Sequence, residues 1–237
     1  MEYASYDNAR YLPSVQGALE QGTRTLAAIS GYFDISDTSQ KVLEIGCASG
    51  SFLWFLKERG FAAVRGIDID PDLVRHGREV LGVNVERADW LNFIGNDRGS
   101  YDVILALDVF EHLSPREVEA VLAKTCQRLT PRGRLIMRMP NAECPFVLAT
   151  FCGDLTHKIL ATPGLIKHLL VKAGFLGAIT FKETLPQNRW KRYIYLIMHH
   201  LLIKPIITLL HFHFYGSRPS LITRNVYCCA ERTPGAK

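Results

Sequence analysis

Residues 42–50 read V-L-E-I-G-C-A-S-G, and this stretch constrains the chain more than any other. An apolar run reaches a carboxylate at Glu44, and a turn of small residues follows with Gly46, Ala48 and Gly50. Residues 51–59 then continue as an amphipathic segment. The pattern predicts a buried strand, a tight turn and a helix start. Glycine lets such a turn take positive φ and lets a ligand come close to the backbone. The unpaired N–H groups of the first helical turn point at the same place. A parallel α/β sheet with a ligand at the carboxyl end of its first strand is the expected outcome.

The turn itself excludes two familiar ligand sites. A dinucleotide fingerprint reads G-x-G-x-x-G, whereas here the middle small residue is Ala48 and the last glycine comes one position early. A phosphate-binding loop needs Gly-Lys-Ser/Thr, which is missing. Glu44 is ill suited to a pyrophosphate and well suited to a cationic amino-acid head. Residues 63–70 (A-V-R-G-I-D-I-D) read as a second strand ending in carboxylate. Residues 83–87 read as a third, followed by Ala88, Asp89 and Trp90. Residues 101–107 and 133–139 read as a fourth and fifth.

In this order the elements resemble class I S-adenosylmethionine (SAM)-dependent methyltransferases, over roughly residues 38–183. The resemblance implies a Rossmann-like α/β fold, a seven-stranded sheet with helices on both faces. It implies that Glu44, Gly46, Ala48 and Gly50 hold the methionine part of SAM. Asp68 takes the ribose, because a carboxylate can accept from both hydroxyls of a diol. Asp89 takes the adenine amino group and Trp90 flanks the ring. Ile69 and Leu107 complete the cofactor-binding set.

Helix signals fill the spaces between strands. Residues 14–30 carry apolar positions at helical spacing and predict a helix that either covers the cofactor or simply packs. Pro71 and Pro163 stand at helix starts. Ser114 followed by Glu117 is a capping-box pattern. Residues 176–182 and 223–231 suit strands six and seven. The domain reading is a helical lead-in over 1–37 and a methyltransferase domain over 38–237, with residues 184–220 as an insertion between the last two strands. No signal peptide is expected, because residues 1–10 lack a basic start before an apolar run. Six cysteines without C-x-x-C spacing predict reduced thiols and a cytoplasmic setting.

The insertion is the second unusual feature. Residues 193–215 are long and apolar enough to suggest a membrane span. Lys204, Pro205 and four histidines argue against one. A hairpin broken at Lys204-Pro205 is expected instead, lying on a membrane surface, packing a second copy of the chain as a homodimer, or covering the cleft. Arg189, Trp190, Lys191 and Arg192 form the basic-aromatic set found at anionic lipid interfaces. The expected localisation is cytoplasmic and peripheral at the inner membrane face. The net charge of +5 is modest, and a nucleic-acid partner is not expected.

Chemistry is concentrated after strand four, where Asp108, Glu111 and His112 fall in L-D-V-F-E-H-L. Carboxylates and imidazole together suit a divalent metal, Mg²⁺ or Mn²⁺. Acid-x-x-Glu-His resembles the metal-binding stretch of ubiquinone-pathway O-methyltransferases and of small-RNA 2′-O-methyltransferases. Pro140-Asn141 and Asp154-x-x-His157 extend that likeness, which implies metal ligands at Asp108, Glu111, His112 and His157. Without metal, Glu111 orients the acceptor and His112 is the general base, with His157 the second choice. Pro140-Asn141, G-D-L-T-H and the segment up to Phe175 also resemble bacterial surface-polysaccharide and lipopolysaccharide methyltransferases. That likeness implies SAM-dependent O-methylation of a sugar hydroxyl on a glycan or lipid-linked saccharide. Quinone, lipophilic-phenol and RNA 2′-hydroxyl acceptors remain the alternatives.

Overall fold

A computed structural model describes residues 12–184, 189–216, 218–219 and 221–233. The expectation about residues 1–10 lies outside these. Seven strands form one sheet in the order β3-β2-β1-β4-β5-β7-β6. They are β1 (Val42–Ile45), β2 (Val64–Asp68), β3 (Val85–Arg87), β4 (Tyr101–Leu107), β5 (Leu129–Pro140), β6 (Ile179–Glu183) and β7 (Asn225–Glu231). β1 to β5 are parallel, and β7 runs antiparallel between β5 and β6. All four β1 residues are buried, as a strand covered by helices on both faces requires.

The helices are α1 (Val15–Ile29), α2 (Ser51–Lys57), α3 (Pro71–Glu79), α4 (Trp90–Asn96), α5 (Pro115–Arg128), α6 (Val147–Phe151) and α7 (Pro163–Lys172). Their starts follow local chemistry. Asp70 accepts from the backbone N–H groups of Asp72 and Leu73, with Pro71 at the first helical position. Ser114 and Glu117 form the expected reciprocal capping box. α1 packs on α2 through Gly22, where a Cβ would meet the Phe55 side chain at 2.3 Å. Its first turn also puts Ala18 in one buried cluster with Cys47 of the β1 turn.

One expectation is corrected in the insertion. Helix α8 (Arg189–Met198), a π-helical turn (His199–Ile203) and helix α9 (Lys204–Tyr215) follow one another without a gap. There is no hairpin at Lys204-Pro205. Proline lacks an N–H and its ring crowds the carbonyl four residues back. The wider π turn immediately before Pro205 absorbs that misfit, so the helix continues.

The strand order reverses between β1 and β4, so the crevice at their carboxyl ends is where a ligand is expected. β6 ends and β7 begins at this same edge, with Glu183 paired to Val226.

Candidate active site

The β1 turn is built from three residues with positive φ: Gly46 at 64°, Ala48 at 49° and Gly50 at 77°. The glycines are needed for packing as much as for a ligand. A Cβ on Gly46 would lie 2.4 Å from Val109, and one on Gly50 would lie 2.8 Å from Val83. Gly46 thereby seats the β1 turn directly against the loop after β4. Asp68 ties the turn to β2, since its carboxylate accepts from the N–H of Ala48 at 2.7 Å and of Asp70 at 2.9 Å. Burial raises its pKa, and those N–H donors oppose the rise.

Glu44 is buried, and its Oε2 has no hydrogen-bond partner among the described residues. Burial first, then the nearby Asp68 charge, push its carboxyl up to about 8. A buried carboxylate in this condition is satisfied by a cation or a donor. The cationic head of an amino-acid cofactor meets that need. The residues of the turn therefore fit SAM.

Asp89 caps α4 by accepting from the N–H of Asn92 at 2.9 Å and remains exposed at the carboxyl end of β3. Ile69 is exposed beside it, after Asp68, and Leu107 is half-buried at the end of β4. Trp90 departs from expectation. It is 4% exposed, belongs to the core cluster, and its indole N–H donates to Thr125 Oγ1 of α5 at 3.2 Å. The physical reason is the Asp89 cap, which starts a helix there and turns the next side chain into the sheet. Trp90 does not flank an adenine.

After β4, Asp108 takes φ of 57°, a left-handed conformation that aspartate tolerates better than most residues. Its carboxylate forms a two-point ion pair with Arg138, which stands opposite on β5 and donates through Nε at 2.6 Å and through Nη2. This corrects Asp108 as a metal ligand: both of its oxygens are engaged by a guanidinium. A single 3₁₀ turn, Phe110–His112, then places Glu111 and His112.

Glu111 is 3% exposed, and its Oε2 has no partner among the described residues. Burial, then the charge of Asp108, raise its carboxyl to about 8. The backbone carbonyl of Glu111 accepts from the N–H groups of Lys158 and Ile159, at 2.7 and 3.2 Å, which brings in the segment carrying His157. His157 and His112 lie with ring centroids 4.9 Å apart. Ligand atoms of Glu111, His112 and His157 all fall within 4.8 Å of one another. The expected pairing of the β4 loop with His157 is met for these three and fails for Asp108.

Two residues, Thr156 and Arg138, were not anticipated from sequence. Asp154 and Thr156 form a compact turn in which the Thr156 hydroxyl donates to Asp154 at 2.6 Å and also contacts His112 Nδ1 at 2.9 Å. A carboxylate only accepts, so the threonine oxygen must accept from His112 Nδ1–H. The neutral imidazole then carries its lone pair on Nε2. Burial foremost, with His157 nearby, lowers the His112 pKa, which keeps the ring neutral near pH 7. The D-L-T spacing of a side-chain-capped turn was the available signal for Thr156. Arg138 gave no signal until the β4–β5 register put it beside Leu107.

The fold is the Rossmann-like fold of class I, SAM-dependent methyltransferases, and the turn chemistry suits their cofactor. The comparisons agree: a family model described as a methyltransferase domain matches residues 43–135. Residues 43–135 are thus similar to a methyltransferase domain. The chain is 30% identical over 135 residues to a ribosomal RNA small subunit methyltransferase C of Chromohalobacter salexigens, covering 55% of this chain and 40% of that protein. It is 28% identical over 98 residues to a ribosomal protein L11 methyltransferase of Ralstonia pickettii, covering 41% and 31%. The chain thus spans less than half the length of the curated relatives it matches. A crystal structure of a SAM-dependent methyltransferase from Archaeoglobus fulgidus superposes with a TM-score of 0.66 over 95% of this chain and 97% of that one, at 19% identity.

Proposed function

We propose that the chain is a SAM-dependent O-methyltransferase whose acceptor is a sugar hydroxyl on a glycan or lipid-linked saccharide. The observation that carries the oxygen-acceptor part is the Asp154–Thr156–His112 chain of hydrogen bonds, which leaves His112 Nε2 as a proton acceptor. A sugar hydroxyl is a weak nucleophile at neutral pH and needs a group to take its proton as it attacks. When bound, the sulfonium supplies an electrophilic methyl carbon. Glu44 and the Gly46–Gly50 turn hold the methionine end, Asp68 the ribose and Asp89 the adenine side. The Val109 contact with Gly46 fixes the β4 loop, and hence His112, beside that turn. His112 takes the hydroxyl proton on Nε2, while Thr156 holds the ring in the matching tautomer. Protonated Glu111 donates a hydrogen bond to the acceptor. The resemblance of Pro140-Asn141 and G-D-L-T-H to polysaccharide methyltransferases supports the sugar class.

The test is SAM turnover against saccharide, quinone and RNA acceptors. Product formation on saccharides alone is the expected result, and turnover on RNA or quinones alone would overturn the acceptor assignment.

A second reading is favoured by one observation, the three ligand atoms within 4.8 Å. Glu111, His112 and His157 would hold a divalent metal, which would acidify a bound hydroxyl. Two imidazoles and one carboxylate suit Mn²⁺ better than Mg²⁺, which prefers oxygen ligands.

A further inference from the structure

The helix α8–π–α9 is inverted relative to an ordinary surface helix. The face turned to the protein carries buried His199 and Ile207, with Lys204, Thr208 and His211 partly buried beside them. The outward face carries Trp190, Ile194, Leu201, Ile206, Leu209 and Phe214, each at least half exposed, with Leu201 at 70%. Water is a poor neighbour for so large an apolar stripe, and a patch of this kind marks a partner.

The partner is not reached by spanning. Tyr193–Phe214 is long and apolar enough to cross a membrane. However, Glu183 before the helix and Val226 after it are paired in one sheet. A crossing helix would force residues 216–224 to return through hydrocarbon as irregular chain, with unpaired backbone groups. The middle of the helix is also held to the sheet, with His199 Nε2 3.6 Å from Glu183 Oε2.

Charge selects among surface partners. From Thr184 to Arg224 the sequence contains no Asp or Glu, while Arg189, Lys191, Arg192, Lys204, Arg218 and Arg224 are basic. A two-fold contact between copies would bring like-charged, acid-free segments together. Anionic lipid headgroups accept the cations while the acyl boundary takes the apolar face.

We infer that this helix lies in the plane of an anionic membrane surface and docks the domain there. The docking has a consequence for the cleft. Asn141, at the end of β5, bonds the carbonyls of Leu221 and Thr223 on the return segment and bridges to Ala161. The neighbouring Lys158 and Ile159 hold Glu111. The helix and the candidate site thus share the carboxyl edge of the sheet, and docking sets the acceptor side of the cleft against the headgroups. The acceptor is then amphiphilic, a point that rests on the methyl-transfer reading, whereas docking does not.

The test is flotation of the full chain with phosphatidylcholine vesicles, with and without phosphatidylglycerol. Binding should require the anionic lipid and fall as salt rises, since screening shortens from about 10 Å at 0.1 M to about 3 Å at 1 M. The Trp190 emission should shift to the blue, and Trp190→Phe should remove the shift. The exposed substitutions Ile206→Glu and Leu209→Glu together should abolish flotation while leaving SAM affinity, read by calorimetry, unchanged. Wild-type protein that stays in the aqueous phase at low salt would overturn the inference. So would a stable dimer in sedimentation equilibrium that these substitutions split and vesicles fail to compete. Loss of SAM binding in wild type would instead strike the methyl-transfer reading alone.

Discussion

Thr156 Oγ1 lies 2.9 Å from His112 Nδ1, and this contact decides which ring nitrogen carries the proton. Because Thr156 donates to Asp154, it can only accept from the imidazole. His112→Ala should lower kcat about 10²–10⁴-fold, the usual contribution of a general base. Thr156→Val keeps the shape, removes the acceptor and frees the tautomer. Its kcat should fall about ten- to a hundredfold, the range for a lost hydrogen bond to a buried group. Thr156→Ser restores the hydroxyl and should recover most of the rate. Steady-state kinetics with SAM affinity measured in parallel decides this. Equal activity in wild type and Thr156→Val would detach Thr156 from the chemistry.

Glu44 predicts a stability trend with a definite sign. Its carboxyl ionises at about 8 in the folded chain, against an ordinary value of 4.5. Between these values the folded state holds a proton that the unfolded state has lost. Stability from this group is therefore full below about 4.5 and is lost as pH rises toward 8. One group contributes a slope of at most about 1.4 kcal/mol per pH unit. Glu111 adds a slope of the same sign in both proteins, so the comparison of wild type with Glu44→Gln isolates Glu44. Denaturant melts at pH 5, 6.5 and 8 should show a steeper decline for wild type. SAM should flatten the wild-type decline, because a bound cation favours the carboxylate.

Asp68 has two tasks, and they can be separated. It clamps Ala48 and Asp70 through their N–H groups, and it is the expected ribose acceptor. Asp68→Asn keeps one acceptor oxygen and replaces the other with a donor that faces an N–H. Hydrogen bonds to a charged group are worth about 1.5–3 kcal/mol. SAM affinity should fall at least about tenfold by calorimetry, and the melting point should also drop. Unchanged affinity would remove the ribose assignment while leaving the clamp to explain any loss of stability.

What the sequence disclosed depended on whether a residue's surroundings were local. The β1 turn, the helix starts at Pro71 and Ser114 and the alternation of strands and helices are set by neighbours in the chain, and all appear where expected. Strands six and seven form at the segments expected for them, although β6 starts at Ile179 and β5 begins early at Leu129. The failures lie where a distant residue decides. Trp90 follows a correctly located Asp89 yet turns inward to Thr125 on α5. Asp108 is claimed by Arg138 across the sheet. The Lys204-Pro205 pair reads as a break, and only the π turn before it shows how the helix absorbs the proline.

Asp108 and Glu111 give opposite expectations in a metal test. Glu111 offers an unpartnered buried oxygen close to two imidazoles, whereas Asp108 spends both oxygens on Arg138. If Glu111, His112 and His157 hold a cation, calorimetric titration of chelator-treated protein with Mn²⁺ should show one site. Mg²⁺ should bind more weakly, because two of the three ligands are nitrogen. Glu111→Gln should weaken Mn²⁺ binding severely. Asp108→Asn keeps an acceptor for Arg138 and tolerates the left-handed backbone, so Mn²⁺ affinity should change little. Chelator should then stop turnover and Mn²⁺ restore it. Absence of any Mn²⁺ heat, with turnover indifferent to chelator, would remove the cation and leave His112 as the sole proton acceptor. Equal loss of Mn²⁺ binding in the Asp108 and Glu111 variants would mean that Asp108 leaves Arg138 to ligate the metal, against the two-point ion pair seen here.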